Sequence, residues 1–540
     1  MAFSQISGAD GLLTRGAPLR YAGLTGGTSI CASGVDFGIA KGLEYAFGVS
    51  AGTFFHSGGH SLNDAENSNL TIIWGGNPAI TRSVDHVALK RAQRSGTKLI
   101  CIDPVKSETA KFSDEWISLR PGSDGALALA LTNEIIEQEL YDKAFLTQHT
   151  DMCFLVDVES GDLLQEQAPE LGYSGSVTSE DGARHKVTTV FNLVTEIASE
   201  YTAANTQKIT GIDANVIKSL ARQYAEAKPA AIRIGFGVDR WYNADLSARA
   251  IATLACLCGY IGVPGGGISL VSGGRSLPVK AANFFAANRK WPTFLSMMEA
   301  DDAVQNGKPY PIKMECIALG NPFNQVKPNR NKVLSNYIEN LDFITVIDHF
   351  MTDTAKYADL VLPACTIFER TDMVVGEFIQ LQQRVVEPEG EARSDFEIFK
   401  ALANAYGVGE HFDKTEEEYI DEMLTSDSPL LKDVNAERLI AEKVIYPWDS
   451  PEAYVGLKDR KFSTPSGRIE IYKAEFAERG TELPIYREPI EASPDNPLFE
   501  KYPLVLLSSH SRYRIHSTFA NLENVKRREP EPVVRISPAD

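Results

Sequence analysis

The sequence has no closely spaced cysteine pair of the kind that binds an iron-sulfur cluster or a zinc ion. Its seven cysteines are scattered over 540 residues, and the closest two, in CLC at 256–258, lie inside an apolar run. An odd and scattered set also argues against a framework of disulfide bonds. We therefore expect no iron-sulfur cluster ligands within this chain.

Long apolar runs, a signal peptide and basic patches are also missing. No apolar run reaches the ~20 residues of a membrane-spanning helix, so we expect no direct membrane insertion. The opening residues, MAFSQISGAD, lack the features of a signal peptide, which leaves a cytoplasmic and a periplasmic location both open. Acidic residues outnumber basic ones by 72 to 53, and a net charge of -19 argues against nucleic acid as a partner.

Short apolar runs that end in a glycine, proline or acidic loop recur along the chain. Six of them are predicted to be buried parallel strands: residues 70–78, 98–104, 230–238, 315–322, 343–350 and 503–510. Helical periodicity between the first two predicts a strand, helix, strand unit of ~30 residues. The predicted fold class is α/β, with several lobes of open, mostly parallel sheets. No internal repeat is apparent.

Glycine-rich loops follow several of these strands. In open α/β sheets ligands bind beyond the carboxyl ends of the strands, and glycine lets the backbone approach a ligand closely. Each such loop alone is more often a plain turn. Two Gly-Asn-Pro strand ends about 245 residues apart, WGGNP at 74–78 and LGNPF at 319–323, suggest two related halves that hold one large, multiply phosphorylated ligand. A nicotinamide enzyme has little support, because no GxGxxG motif opens a helix.

Cys31 lies in a glycine-rich stretch, GGTSICASGVDFG at 26–38. One interpretation is a packed side chain, because free cysteine is among the most buried residue types. The other is a thiolate that binds a metal, since sulfur is a soft ligand. Taken alone, the stretch favours packing.

Seven segments along the chain resemble those of one family, in that family's order. They are IIWGGNPAIT (72–81), LICIDPVKSETAKFSDEWISLRPGSDGALALAL (99–131), CGYIGVPGGGISL (258–270), LGNPFNQVKPN (319–329), DHFMTDTAKYADLVLPACTIFERTD (348–372), FSTPSGRIEIY (462–472) and SSHSRYRIHS (508–517). With these segments, almost the whole chain resembles the molybdopterin oxidoreductases of the dimethyl sulfoxide reductase type. Members of that family bind molybdenum or tungsten through two pterin guanine dinucleotides.

The resemblance implies a molybdenum or tungsten bis(molybdopterin guanine dinucleotide) cofactor and assigns roles to individual residues. Cys31 stands at the position of the metal's protein ligand and is the implied catalytic residue. One dinucleotide, with its guanosine end at Asp103, would be held by Gly75, Gly76, Asn77, Asp103, Lys106, Gly122 and Asp124. The other side, or the pterins, would be lined by Gly235, Gly237, Gly320, Asn321, Asp348 and Thr354. The final lobe would contact a pterin through His510, Arg514, His516 and Ser517.

One position departs from the family's pattern. The family often has Arg after the Asp-Pro step, whereas Val105 and Lys106 follow Asp103 and Pro104 here. A lysine supplies its charge as a point donor and not as a bidentate fork. We therefore expect Lys106 to contact the dinucleotide through a single ammonium group.

The activity that the resemblance implies is that of the catalytic core of an oxidoreductase of anaerobic respiration. It would act on a small substrate by oxygen-atom transfer, or by electron and proton transfer, at the metal. A non-redox hydratase or transhydroxylase of the same family is the first alternative, since QLQQRVVEPEGEARSD at 380–395 is also similar to hydratase relatives. The second alternative is an inactive or structural fragment of a multi-subunit complex.

Domain boundaries are also predicted. One discontinuous α/β lobe would contain residues 1–29 and 236–486, and a second lobe, 30–235, would carry the metal-ligand loop and a dinucleotide site. Residues 487–502 would be a linker, and 503–540 the start of a β-barrel-like C-terminal lobe, with the lobes arranged around a cofactor cleft. Family members usually begin with an iron-sulfur domain and end with that lobe in full, so we expect a fragment. The expected partner is an iron-sulfur electron-transfer subunit or a chain supplying the missing domains.

Overall fold

The computed structural model describes residues 1–5, 11–31, 37–49, 59–178, 182–270, 274–275, 277–325, 327, 329–448, 452–491 and 493–538. The chain folds into two compact units. Unit 1 contains Met1–Val35, Leu277–Ser450 and Leu507–Asp540, and unit 2 contains Asp36–Ser276 and Pro451–Leu506. Among the described helices, none is both long and apolar enough to span a membrane.

The strands of the described residues are numbered here in chain order. They are β1 Ala2–Gln5, β2 Thr28–Cys31, β3 Leu70–Trp74, β4 Lys98–Ile102, β5 Glu115–Ile117, β6 Phe154–Asp157, β7 Leu163–Gln167, β8 Ser174–Thr178, β9 Arg184–Thr189, β10 Ala230–Ile234, β11 Gly267–Leu270, β12 Thr293–Ser296, β13 Met314–Ala318, β14 Phe343–Asp348, β15 Leu360–Pro363, β16 Asp372–Val375, β17 Ile379–Gln382 and β18 Val444–Ile445. Every residue of β3 and of β10 is buried, as expected for parallel strands covered on both faces.

Unit 1 is built on a six-stranded parallel sheet in the order β12-β2-β1-β13-β14-β15. Two apolar cores cover its faces, and a small antiparallel sheet, β16-β17-β18, lies in the same unit. Its α-helices are Leu12–Thr25, Ala282–Phe285, Met297–Asn306, Pro322–Gln325, Arg330–Asn340, Asp395–Tyr406, Glu416–Leu424, Ala436–Glu442 and Glu523–Arg528, with 3₁₀ turns at Ala287–Arg289, Ala355–Tyr357, Gly409–Phe412 and Pro429–Leu431.

Unit 2 is built on a five-stranded parallel sheet in the order β11-β10-β3-β4-β5. It also contains a four-stranded antiparallel sheet in the order β7-β6-β9-β8. Its main apolar core includes two almost wholly buried helices, Asp124–Glu137 and Ala244–Leu257. The α-helices are Gly38–Phe47, Pro78–Thr81, Ser83–Arg94, Glu108–Phe112, Asp124–Glu137, Lys143–His149, Val190–Ser199, Ala203–Thr210, Ala214–Glu226 and Ala244–Leu257, with 3₁₀ helices at Leu62–Asn67 and Ala474–Arg479.

The predicted α/β class with mostly parallel sheets is confirmed, and five of the six predicted strands form, as β3, β4, β10, β13 and β14. The sixth prediction, 503–510, is wrong. Residues 503–538 contain one helix and no strand, and the side chain of Leu506 is 84% exposed. An apolar run becomes a buried strand only where a neighbouring strand and a packed layer cover it, and no described segment covers this one. The β-barrel-like lobe stays an expectation.

The two units also differ from the predicted lobes. Residues 236–276 belong to unit 2, because β11 pairs with β10 and the helix Ala244–Leu257 packs on the helices Gly38–Phe47 and Asp124–Glu137. Residues 451–486 belong there too. Residue 31 belongs to unit 1, because β2 pairs with β1 and β12. The strand that ends in Cys31 and the first Gly-Asn-Pro turn are therefore in different units.

Candidate functional site

The first Gly-Asn-Pro turn, in unit 2, follows β3 and is fixed by its asparagine. Thr109, in the helix Glu108–Phe112, donates its backbone N–H at 3.1 Å and its hydroxyl at 2.9 Å to Oδ1 of Asn77. The backbone N–H of Ala79 donates in turn to the Thr109 hydroxyl at 3.1 Å. Asn77 therefore uses its side-chain oxygen to hold the turn against the helix.

The second Gly-Asn-Pro turn, in unit 1, follows β13 and has the same hydrogen bonds. Thr354 donates its backbone N–H at 3.0 Å and its hydroxyl at 2.6 Å to Oδ1 of Asn321. The backbone N–H of Phe323 donates to the Thr354 hydroxyl at 3.2 Å. Asn321 and Thr354, which the resemblance placed together, are thus in direct contact, and Gly320 directly precedes Asn321.

A further pair of matching contacts shows that the two units share an internal repeat. Oδ2 of Asp114 accepts the backbone N–H of the second residue of β4 at 2.8 Å, and Oδ2 of Asp359 accepts that of the second residue of β14 at 2.8 Å. The matching sequences are TAKFSD at 109–114 and TAKYAD at 354–359. The expectation of no internal repeat is therefore wrong. The two segments match over only a few positions. Sequence reasoning did not single out Thr109, which this short match to Thr354 could have revealed.

Asp103 directly follows β4 and lies beside two other polar groups. Its Oδ1 accepts the backbone N–H of Val105 at 2.8 Å, and its carbonyl accepts the indole N–H of Trp116 at 2.9 Å. The ammonium of Lys106 lies 5.5 Å from the centre of the Trp116 ring. Burial raises the pKa of Asp103 to about 6. The structure thus brings the predicted Asp103 and Lys106 together around Trp116, which sequence reasoning did not single out.

Asp348, the last residue of β14, occupies the matching position in unit 1. Its Oδ1 accepts the backbone N–H of Phe350 at 3.2 Å, and its carbonyl accepts that of Ala364 at 3.2 Å. The positions that match Val105 and Lys106 are Phe350 and Met351, each 62% exposed. Both carboxylates accept the backbone N–H two residues further along the chain. The two strand ends differ in the donor to the aspartate carbonyl and in the side chains beside the carboxylate.

Gly235 and Gly237 lie against the first Gly-Asn-Pro turn and not with the unit 1 residues with which they were grouped. The backbone N–H of Gly237 donates to the carbonyl of Gly75 at 2.9 Å. A Cβ on Gly235 would lie 2.3 Å from the Gly75 oxygen and 2.4 Å from Cα of Gly76. These glycines are needed because the backbones after β3 and β10 touch.

Gly122 and Asp124 make contacts that explain both residues within unit 2. Gly122 has a φ of +82°, and a Cβ there would lie 2.6 Å from Pro489 and 3.1 Å from the ring of Trp241. The Asp124 carboxylate accepts the indole N–H of Trp74 at 2.8 Å. Burial raises the pKa of Asp124 to about 6. The geometry by itself assigns these two residues to packing.

Cys31 is the last residue of β2 in unit 1. It is half-buried, whereas the other six cysteines are buried, and none of the seven forms a disulfide. Its thiol donates to the carbonyl of Leu295 at 3.4 Å. The rest of its loop, 32–36, lies outside the described residues. The carboxyl end of a parallel strand is where α/β sheets bind ligands.

His510, Arg514, His516 and Ser517 lie in one segment of unit 1. The two histidine rings are 4.7 Å apart and nearly perpendicular. Arg514 donates from Nε to Oε2 of Glu529 at 2.9 Å and from Nη2 to the Glu529 carbonyl at 3.3 Å. Any anion bound by this guanidinium would share it with a carboxylate.

The residues present fit the cofactor that the resemblance implies. Asp103 and Asp348 each accept one backbone N–H through Oδ1, and a carboxylate has lone pairs for further donors such as those of a guanine edge. Lys106 and Arg514 are cations of the kind that bind phosphate. Cys31 offers a half-buried sulfur, a soft ligand for a metal held by other sulfurs.

Several relatives are similar to this chain in sequence. Dimethyl sulfoxide reductase DmsA of Escherichia coli (strain K12) is 30% identical over 537 residues, which cover 90% of this chain and 62% of that protein. Probable oxidoreductase YyaE of Bacillus subtilis (strain 168) is 31% identical, with 86% and 64% covered. Perchlorate reductase subunit alpha of Dechloromonas aromatica (strain RCB) is 28% identical, with 84% and 63% covered. The chain thus spans less than two thirds of the length of these relatives.

The fold is also shared with acetylene hydratase from Pelobacter acetylenicus. The TM-score is 0.74 at 24% sequence identity, and the match covers 98% of this chain and 72% of that one. A model of the molybdopterin oxidoreductase family matches residues 35–405, more than half of the chain. The chain therefore belongs to the molybdopterin oxidoreductase family, of the dimethyl sulfoxide reductase type.

Proposed function

We propose that the chain is the catalytic core of an oxidoreductase that holds molybdenum or tungsten in a bis(molybdopterin guanine dinucleotide) cofactor. It would act on a small substrate by oxygen-atom transfer or by electron and proton transfer. The observation that supports this most is the Gly-Asn-Pro turn built twice, with the same three hydrogen bonds at Asn77 and at Asn321. Two equivalent strand ends suit a cofactor with two equivalent dinucleotides.

Each unit would hold one dinucleotide at the carboxyl end of its parallel sheet. In unit 2 the Asp103 carboxylate would accept N–H groups of a guanine, and Lys106 would supply positive charge for phosphate. In unit 1 Asp348 would take the same role, beside the exposed side chains of Phe350 and Met351. The protein's part is to bind and orient the cofactor, and the bound group supplies the redox chemistry at its metal.

Cys31 would be the protein ligand to the metal. Its sulfur is half-buried at the end of β2, and a thiolate is the softest ligand that a protein side chain offers. Replacing it by Ala would remove one metal ligand while leaving both dinucleotide sites intact. The matched control is Cys365→Ala, which removes a buried cysteine in the same unit.

Electrons would pass to or from a partner. Perchlorate reductase subunit alpha, one of the relatives, is by its name one subunit of an enzyme. We propose an iron-sulfur electron-transfer subunit, or a chain that supplies further domains, as the partner here. Dimethyl sulfoxide and perchlorate, named in relatives, are the first substrates to test.

The test is metal analysis and turnover of the protein made in a host that synthesises the cofactor. We expect about one molybdenum or tungsten atom per chain, and turnover that needs a reduced or oxidised dye as electron partner. The Cys31→Ala variant should have at least tenfold less metal per chain or at least tenfold slower turnover. The Cys365→Ala variant should keep the metal content and turnover rate of the wild type. A purified protein that contains neither molybdenum nor tungsten would overturn the proposal. Turnover without any electron partner would instead support a hydratase, the reaction named for acetylene hydratase.

A further inference from the structure

A cavity in unit 2 has the size of a small-molecule binding site. Its volume is about 510 Å³, within the range of roughly 300–1,000 Å³ that ligand pockets occupy. The wall consists of the loop after the helix Asp124–Glu137, the end of the helix Ala214–Glu226, the residues just before β10, the turn before β11, and Arg460. All of these segments belong to unit 2, so the cavity is built within one compact unit.

The cavity lies at the opposite edge of the parallel sheet from the first Gly-Asn-Pro turn. Lys228 and Pro229 directly precede β10, which begins at Ala230, whereas Gly235, which touches Gly75, directly follows it. Five residues of a β-strand span about 17 Å. None of the described residues in the wall is one that the resemblance assigned to the cofactor. What this cavity binds is therefore a separate question from the dinucleotides.

Two cations in the wall are not paired with a carboxylate. Among the described residues, the Lys228 ammonium makes no hydrogen bond or ion pair. The Arg460 guanidinium donates from Nη1 to Nε2 of His149 at 3.2 Å and lies 5.2 Å from the centre of the Phe145 ring. Burial and the charge of Arg460 lower the pKa of His149, so this imidazole is a neutral partner. Both positive charges are therefore available to an anion.

The acidic side chain of the wall, Asp142, already has a structural role. Its Oδ1 accepts the backbone N–H of Phe145 at 2.9 Å and caps the helix Lys143–His149. A Cβ on Gly259 would lie 2.7 Å from its Oδ2, so the carboxylate packs against the turn before β11. Burial raises the pKa of Cys258, also in the wall, to about 12, so this thiol adds no charge at neutral pH. With two cations and one carboxylate, the wall is positive in a chain whose net charge is -19.

Two tyrosines give the wall apolar surface as well as charge. The Tyr260 hydroxyl donates to the carbonyl of Ala225 at 2.7 Å and accepts the backbone N–H of Lys228 at 3.3 Å. The Tyr141 ring packs against the Phe191 ring with 5.3 Å between their centres. Because the Tyr260 hydroxyl is satisfied by the backbone, this side chain offers a bound molecule mainly the apolar part of its ring.

The backbone at both cations is in the left-handed region. The φ angle is +39° at Lys228 and +49° at Arg460. Residues other than glycine adopt such angles rarely, because Cβ is crowded against the backbone. Strained residues of this kind concentrate at sites where the position of a side chain matters. The strain at these two positions is consistent with a built site.

We propose that this cavity binds a small organic anion, whose acidic group is held by Lys228 and Arg460 and whose apolar body lies against Tyr141 and Tyr260. Arginine binds a carboxylate through parallel N–H donors, and lysine adds a point charge. The rings favour a molecule with an apolar part over a bare inorganic anion. This site goes beyond the proposed function and does not depend on it.

The test is calorimetric titration of benzoate into the full chain and into its Lys228→Met and Arg460→Met variants. We expect one benzoate per chain in the wild type, with the affinity lowered about fivefold by Lys228→Met and about tenfold by Arg460→Met, since arginine makes the paired contact. Benzamide lacks the charge and inorganic phosphate lacks the ring. Each should bind about tenfold more weakly than benzoate.

Lys218→Met is the matched control. Lys218 is an exposed lysine of the helix Ala214–Glu226 and does not line the cavity, so this variant should bind benzoate as the wild type does. The proposal is overturned if the wild type does not bind benzoate at concentrations up to about 10 mM. It is also overturned if Lys228→Met and Arg460→Met bind benzoate as tightly as Lys218→Met, or if benzamide or phosphate binds as tightly as benzoate. Where Arg460→Met does not fold, Lys228→Met decides, because Lys228 is exposed.

This result is independent of the metal. The Lys228→Met protein should keep the metal and guanine nucleotide content of the wild type. Benzoate binding in a protein without molybdenum or tungsten would support the anion site and overturn the proposed function. Metal without benzoate binding would do the reverse.

Discussion

Thr109 donates both its backbone N–H and its hydroxyl to the side-chain oxygen of Asn77, at 3.1 and 2.9 Å. One residue thus fixes the turn after β3 to the helix after β4. Thr354 and Asn321 make the same pair of hydrogen bonds in unit 1, so this contact between a turn and the following threonine is a repeated structural motif of the fold.

Asn77→Ala should destabilise unit 2 by roughly 1–3 kcal/mol, because two donors of Thr109 lose their acceptor. Asn321→Ala should have an effect of the same size on unit 1. Urea denaturation, monitored by hydrogen exchange in each unit, measures both losses of stability. Asn324→Ala is the control, since the Asn324 side chain meets Asp353 on the exposed surface. Equal effects of Asn321→Ala and Asn324→Ala would contradict the role given to the turn.

Gly235→Ala should be strongly destabilising, by about 2 kcal/mol or more, because the added methyl would lie 2.3 Å from the Gly75 carbonyl. Gly172→Ala is the matched control in unit 2, since a Cβ there would meet its nearest atom at 3.9 Å. Thermal unfolding of the two variants gives the comparison. A Gly235→Ala protein as stable as Gly172→Ala would show that the two backbones are not in contact.

Asp124→Asn should change how stability depends on pH. Burial raises the pKa of Asp124 from 3.8 to about 6 in the folded protein, so the protonated form favours folding. This contribution is fully present below pH ~4 and is lost as the pH rises through ~6. The variant, which keeps an acceptor for Trp74, should lose that pH dependence and gain up to roughly 3 kcal/mol over the wild type at pH 8. Urea midpoints at pH 4.5 and pH 8 measure it, and parallel pH profiles of the two proteins would refute it.

Lys106→Arg should strengthen the hold on the dinucleotide, because an arginine offers two parallel N–H donors where lysine offers one ammonium. Lys106→Ala should weaken it about three- to tenfold. Guanine nucleotide retained per chain after mild denaturation measures both. Lys111→Ala is the control, since Lys111 pairs with Glu108 on the surface. If Lys106→Ala and Lys111→Ala retain equal amounts, Lys106 does not contact the dinucleotide.

Local pattern was enough to predict the strands that carry the site. Buried parallel strands are apolar on both faces, so β3 and β4 stand out as short continuous runs. The same pattern fails at 503–510, where the run is apolar but exposed. Helical spacing likewise predicts one apolar face of Val84, Val87, Ala88 and Ala92 for the helix Ser83–Arg94. In the structure Val84 and Val87 are 69% and 57% exposed, and Ala88 and Ala92 are buried with Leu89.

Long-range contacts could not be predicted from the sequence. Asp372 and Asp239 cap helices 358 to 359 and 200 residues away, and nothing in their local sequence indicates it. Trp116 was missed because its place beside Asp103 depends on the pairing of β4 with β5. The resemblance supplied the candidate residues, and the structure grouped them, moving Gly235 and Gly237 to the turn at Gly75.

The most direct test of the central claim is the number of guanine nucleotides released per metal atom. The protein is purified from a host that makes the cofactor, its guanine nucleotides are freed by acid and counted by chromatography, and its metal is counted by mass spectrometry. The account predicts two guanine nucleotides for each molybdenum or tungsten atom, one for each Gly-Asn-Pro turn. Metal without guanine nucleotide, or one nucleotide per metal, would contradict it.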